Sequence, residues 1–120
     1  MKVFLLSLIF FATTTTNLAA SENRANEEID YLLNYISESG CTFIRNGKEY
    51  PSTKAAEHLQ YKYGKVKNRI PDADTFIAKI ASASSITRKQ YEVQCGDERL
   101  PSGKWLKDAL ESFRLESRHS

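Results

Sequence analysis

The sequence predicts a small α+β domain: three antiparallel strands with four helices packed on them, in the order α-β-β-α-α-β-α. Three observations carry this reading. Four segments repeat apolar residues at the spacing of a helix with one buried stripe. Asn46-Gly47 sits between two short β-type runs, and residues 90–95 alternate in and out. Cys41 begins the first strand and Cys95 ends the third, so a bond between them requires the two strands to run antiparallel.

Residues 26–39 read as the first helix, with Ile29, Leu32, Leu33 and Ile36 on one stripe. Glu27, Glu28 and Asp30 crowd its first turn, where the helix dipole favours negative charge. Ser39-Gly40 is its stop signal. Residues 41–50 read as a hairpin. A two-residue turn pairs Arg45 with Lys48, Ile44 with Glu49 and Phe43 with Tyr50.

Pro51-Ser52 opens the second helix, with Ser52 as N-cap and Ala55, Ala56, Leu59, Tyr63 and Val66 on its buried side. Gly64 marks or frays its end. Asp72 caps a third helix, from 73 to about 82, striped by Ala73, Phe76, Ile77, Ile80 and Ala81. The third strand covers 90–95, and antiparallel register sets Phe43 opposite Val93 and Arg45 opposite Tyr91. Residues 96–101 read as a loop. Ser102 caps the last helix, which turns Trp105, Leu106, Ala109, Leu110 and Phe113 inward and pairs Lys107 with Glu111 outside. No internal repeat, linker or second domain is expected.

The amino terminus carries an address. Lys2 precedes an apolar run over 3–12, and Leu18-Ala19-Ala20 closes the segment. These are the marks of a secretory signal peptide cleaved near Ala20. The run is shorter than the ~20 apolar residues a membrane span needs. The expected product is an exported, periplasmic single domain over 21–120 with frayed ends. Removing Lys2 from the 17 basic residues leaves 16 against 15 acidic ones. That balance gives no global pull towards nucleic acid or a membrane surface.

Two cysteines in an oxidising compartment read as one disulfide, Cys41–Cys95. Closing so long a loop stabilises a fold by about 4 kcal/mol at most. The alternatives are free thiols or part of a metal site. Only His58 and the tail residue His119 add imidazoles, and no Cys-x-x-Cys spacing occurs.

A resemblance emerges from several runs taken together. They are Phe43-Ile44-Arg45-Asn46-Gly47, His58-Leu59 with Lys62, Asn68-Arg69-Ile70, and Phe76-Ile77-Ala78-Lys79-Ile80-Ala81-Ser82-Ala83-Ser84-Ser85 with Tyr91. They resemble the YfeK-like family of small exported bacterial proteins, a domain of unknown function, over residues 28 to 110. The resemblance implies a Gram-negative periplasmic location and a single domain, and no activity. The family usually has a glycine where Arg88 stands and commonly an acidic residue where Lys54 stands.

Candidate chemistry is sparse. His58 stands beside Lys54, Tyr61 and Lys62 by helical spacing and titrates near neutrality, yet no nucleophile or paired carboxylate is placed next to it. Asn46-Gly47 is ordinary turn chemistry, with Arg45 placed to stack on Tyr91 or to offer its planar fork to a carboxylate or phosphate. Lys62, Lys65, Lys67, Arg69, Arg88 and Lys89 form a basic run near Tyr61 and Tyr63, whose ordinary reading is a solvated face. Ser82, Ser84 and Ser85 lack the Gly-x-Ser-x-Gly elbow of a nucleophile.

The sequence thus points to a non-enzymatic binding or interaction module with a contact surface at Arg45, Asn46, His58, Lys62 and Arg69. Its partner is a periplasmic protein or an anionic envelope ligand. No cofactor, metal, nucleic acid or transmembrane segment is expected, and the protein is expected to be a monomer. Two other readings are a small envelope-polymer hydrolase or lyase using His58 with Glu49 or Glu57, and an inhibitor-like protein acting through the hairpin tip.

Overall fold

Asn46 and Gly47 both take positive φ, 52° and 78°. That is the geometry of a type I′ turn, whose twist matches the strands it joins. In the computed structural model, which describes Ile9 and residues 16–119, this turn joins β1 (Thr42–Arg45) to β2 (Lys48–Pro51). The register is the expected one, with Phe43 opposite Tyr50 and Arg45 opposite Lys48. The expected signal peptide lies largely outside the described residues. Those at its end, from Thr16, continue the first helix upstream of residue 26, so that α1 spans Thr16–Glu38.

The sheet has four strands, not three. The expected loop over 96–101 is a second hairpin. Gly96, with φ of 62°, and Asp97 turn β3 (Glu92–Cys95) into β4 (Glu98–Pro101), giving the order β2-β1-β3-β4, all antiparallel. Glycine at the first central position with positive φ is the pattern of a type II′ turn. The central pair sets Phe43 opposite Val93, as expected, and Thr42 opposite Gln94. The next position along is Cys41 opposite Cys95, and the two sulfurs are joined, with Cα atoms 4.7 Å apart.

Contrary to the expectation of no internal repeat, the two hairpins belong to a repeated unit. Pro51-Ser52-Thr53-Lys54 recurs as Pro101-Ser102-Gly103-Lys104, and the same offset carries Phe43 onto Val93 and the first turn onto the second. The elements after α1 follow suit: α2 (Ser52–Val66), α3 (Ala73–Phe76) and α4 (Ser102–His119) make the order αββα twice over. Since Phe43 and Val93 are equivalent and also face each other, the halves are related by a pseudo-twofold axis through that pair.

Neither serine caps its helix. Each is the first helical residue and donates its hydroxyl backward, Ser52 to the Ser37 carbonyl at 3.1 Å and Ser102 to the Ala81 carbonyl at 2.6 Å. Both thereby tie a helix start to the end of the helix that opens the same half. Asp72 does cap as expected, accepting from the Thr75 amide at 2.7 Å. The third helix departs from α geometry after Phe76, continuing as π-helix over Ile77–Ala81. Gly64 lies inside α2, two residues short of its end. On α4 the exposed ion pair is Lys104–Asp108 at 3.2 Å, and the expected Lys107–Glu111 pair is not made.

All four helices pack on one sheet face. Ile29, Leu32 and Ile36 of α1 meet Phe76, Ile77 and Ile80, Leu106 and Leu110 of α4, and Phe43 and Val93 of the sheet. Stacked Tyr31 and Phe113 (centroids 4.1 Å apart) and tilted Tyr35 and Trp105 (4.7 Å) extend the α1–α4 seam. The opposite face presents Glu92 and Arg99, joined at 3.1 Å, together with the buried Ile44. Arg114 of α4 reaches across to the buried Glu28 of α1 at 2.7 Å and to Asp74 of α3 at 2.9 Å.

Candidate functional site

Strand alternation puts Arg45 and Lys48 on the same side as Phe43 and Tyr50, the helix side, at the rim of the hairpin. Opposite them runs α2, where helical spacing aligns His58, Tyr61, Lys62 and Lys65. Between the hairpin and α2 lies an open groove of about 600 Å³. Its walls carry Arg45, Asn46 and Lys48 from the hairpin, His58, Lys62 and Lys65 from α2, and Ser84, Ser85 and Ile86 from the loop after the π-helix. Among the described residues, no carboxylate lines it.

Arg45 lies over the Tyr50 ring, 4.5 Å from its centroid, and donates to the Tyr50 hydroxyl at 3.0 Å. The stacking partner is thus Tyr50 of the same hairpin and not Tyr91. The ordered ladder stops at Ile44–Glu92, one position short of Arg45. Its side chain also lines the groove. Asn46 accepts from the Thr87 hydroxyl at 2.6 Å, which fastens the hairpin tip to the neighbouring loop.

Lys62 is spent on the fold. Its ammonium donates to the Ile80 carbonyl at 2.8 Å, the Ala83 carbonyl at 3.3 Å and the Tyr91 hydroxyl at 3.0 Å. Three donors meet three acceptors, so the side chain closes the carboxyl end of the π-helix, where a cation suits the exposed carbonyls. Burial and the Arg45 charge both lower its pKa. Burial raises the Tyr91 phenol, and Arg45 acts against that.

His58 is half-buried on the wall shared with an adjoining cavity. Burial, then Arg45, then Lys62 push its pKa below the usual histidine value, which favours the neutral ring at pH 7. Among the described residues no carboxylate forms an ion pair with it. Glu57 is paired with Lys54 at 3.3 Å. Arg69 lies apart, exposed on the 3-10 turn Lys67–Arg69 that follows α2. The fold therefore gathers Arg45, Asn46, His58 and Lys62 and leaves Arg69 outside. No cluster of His, Cys, Asp and Glu among the described residues has the makings of a metal site.

Lys48, Tyr50 and Ile86 belong to the groove, a place the sequence reading does not give them. For Lys48 and Tyr50 a signal existed, since the Asn46-Gly47 turn itself pairs Lys48 with Arg45 and Tyr50 with Phe43. Ile86 had none, because its 93% exposure comes from a loop folded on itself. Ser84 accepts from the Ile86 and Thr87 amides, and its carbonyl accepts from Arg88. Arg88 sits there with φ of 61°, which accounts for the glycine expected at that position.

Among the described residues no helix is long and apolar enough to cross a membrane. No solved structure matches the chain. The uncharacterized protein YfeK of Salmonella typhimurium is 44% identical over 70 residues, a stretch covering 56% of this chain and 58% of that protein. The match therefore spans less than two thirds of the relative. The sequence profile of a family of unknown function, DUF5329, matches residues 23–114. The chain belongs to the DUF5329 family.

Proposed function

We propose that this protein is a non-enzymatic, exported module that binds an anionic ligand in the groove between the first hairpin and α2. One observation carries the reading: Arg45, Lys48, His58, Lys62 and Lys65 line one groove that no carboxylate enters among the described residues. Cations so placed raise the local concentration of an anion, although the whole chain is nearly neutral. The repeat supports it. Where the first half has Arg45, Lys48, His58, Lys62 and Lys65, the second has Cys95, Glu98, Asp108, Ser112 and Leu115. The scaffold therefore does not require cations at the positions of Arg45, Lys48 and Lys65. Lys62 holds the wall, and Arg45, Lys48 and Lys65 remain to meet the ligand. Export rests on the leader-like amino terminus, and the Cys41–Cys95 bond agrees with an oxidising destination.

The test is an NMR titration of the folded protein with inorganic phosphate. Shifts should gather at residues 45–50, 58–65 and 84–91 and weaken with added salt. An Arg45→Ala/Lys65→Ala double variant should weaken binding at least about tenfold, whereas Lys104→Ala on the other half should leave it unchanged. Absence of any response in the wild type would refute the assignment.

A further inference from the structure

The cationic groove shares a wall with a second cavity of different character. This one, about 380 Å³, lies between α2 and the sheet and is floored by Phe43, Ala55 and Leu59. Arg45, Tyr50, His58, Tyr61 and Tyr91 line both spaces. From the shared wall, one direction leads to Lys48 and Lys65 and the other to apolar side chains. Among the described residues, the charged ones lining the apolar cavity outside the shared wall are Lys54 and Glu57, which neutralise each other at 3.3 Å on the exposed face of α2.

Resting on the anion-binding reading, we infer that the ligand is an amphiphilic anion. Its phosphate or carboxylate group meets Arg45, Lys48 and Lys65, and an apolar chain or ring fills the neighbouring cavity. A plain anion would leave the apolar floor wet, and an uncharged apolar molecule would leave the cations without a partner. Only a molecule with both parts satisfies both spaces from one seat. A cavity of this size is within the range of small-molecule sites, which are mostly apolar with a few placed polar groups. The tyrosines suit the junction, since each offers an apolar ring and a polar tip. His58 lines both spaces at this junction.

The occupant's source is read by calorimetry on the folded wild type with monomeric probes, kept below their micelle-forming concentrations. Decyl phosphate should bind at least about tenfold more tightly than butyl phosphate, since its longer chain buries more apolar surface. Decanoate in place of decyl phosphate distinguishes a carboxylate source from a phosphate source, and tight binding of either supports the inference. Equal affinity for decyl, butyl and inorganic phosphate overturns the inference and leaves the anion-binding reading intact. Decyl maltoside binding as tightly as decyl phosphate, or no response to any anion, overturns both. Attachment to phosphatidylglycerol vesicles without binding of monomeric decyl phosphate overturns the inference in favour of a lipid surface. Tyr61 is exposed, so Tyr61→Ser should fold and should shrink the decyl-to-butyl ratio at least about threefold. An unchanged ratio in that variant removes the apolar part from this cavity.

Discussion

Phe43 and Val93 face each other across the two central strands while occupying equivalent positions in two copies of one αββα unit. The equivalence organises the sheet. The pair one step to one side of the Phe43–Val93 axis is Thr42–Gln94, and its counterpart on the other side is Ile44–Glu92. One step further, Cys41–Cys95 on one side answers to Arg45 and Tyr91 on the other. The disulfide and the candidate site thus stand at symmetry-related ends of the same strand pair.

His58 reports on the groove. Its pKa is held below 6.5 by burial, Arg45 and Lys62. Between that lowered value and 6.5 the unfolded chain binds more protons than the native one. Stability therefore falls as pH drops through this window and levels off once pH is below both values. His58→Gln should flatten this slope in urea titrations. Arg45→Met removes one cause and should move the imidazole titration, followed by NMR, upward. A bound phosphate or carboxylate should move it the same way.

Breaking the Arg114 junction should be costly. Arg114→Met leaves the buried Glu28 carboxylate without its partner, and we expect a loss of about 2–3 kcal/mol, discounted because Arg114 is 35% exposed. The double variant Glu28→Gln/Arg114→Met should recover part of that loss, since no charge then stays buried. Thermal unfolding of the two variants compares them directly. A double variant no more stable than the single one would show that the ion pair's charge is not what matters.

The paired serines should differ in weight. Ser102 is 1% exposed and Ser52 is 8% exposed, and each donates to a helix-end carbonyl. Ser102→Ala orphans the Ala81 carbonyl in a drier place and should cost about 1–3 kcal/mol, with Ser52→Ala near the lower end. Gly103, beside Ser102, adds a second constraint: a Cβ there would lie 2.5 Å from the Ser82 hydroxyl oxygen. Turning Ser82 aside to make room breaks its bond to the Ile77 carbonyl at 2.6 Å, so Gly103→Ala should destabilise the protein, although alanine is the better helix former. Chemical denaturation measures all three.

Arg88 offers a gain. A left-handed backbone costs a side-chain-bearing residue roughly 1–2 kcal/mol, and Arg88 adopts φ of 61°. Arg88→Gly should raise stability by about 0.5–1 kcal/mol after the entropy of glycine is counted. A lower melting temperature in that variant would assign the arginine a contact that offsets its strain.

Much of the fold was legible because its signals are local. Asn46-Gly47 set the first hairpin and its register, the apolar stripes marked the helices, and Cys41 with Cys95 fixed the antiparallel sense of the central pair. β4 was illegible because it is a short edge strand with charged Glu98 and Arg99 and only Leu100 packed against the core. Such charges protect an edge strand from pairing further, and they also erase its apolar alternation. The repeat hid for a related reason, since Pro-Ser-x-Lys is its longest shared run and the faces around it have diverged. At the site, Arg45 and His58 were visible by type. The acceptors that hold Lys62 were not, because two are backbone carbonyls 18 and 21 positions away.

The Cys41–Cys95 link gives the central strand pair the mechanics of a spring clip. At the clasped end the backbones cannot part without chemical reduction. At the other, beyond Ile44 and Glu92, the hairpin tip is held by noncovalent contacts, among them the hydrogen bond from Thr87 to Asn46. Parting of the two central strands is therefore confined to the Arg45 end, while the covalent bond holds the Cys41 end in place.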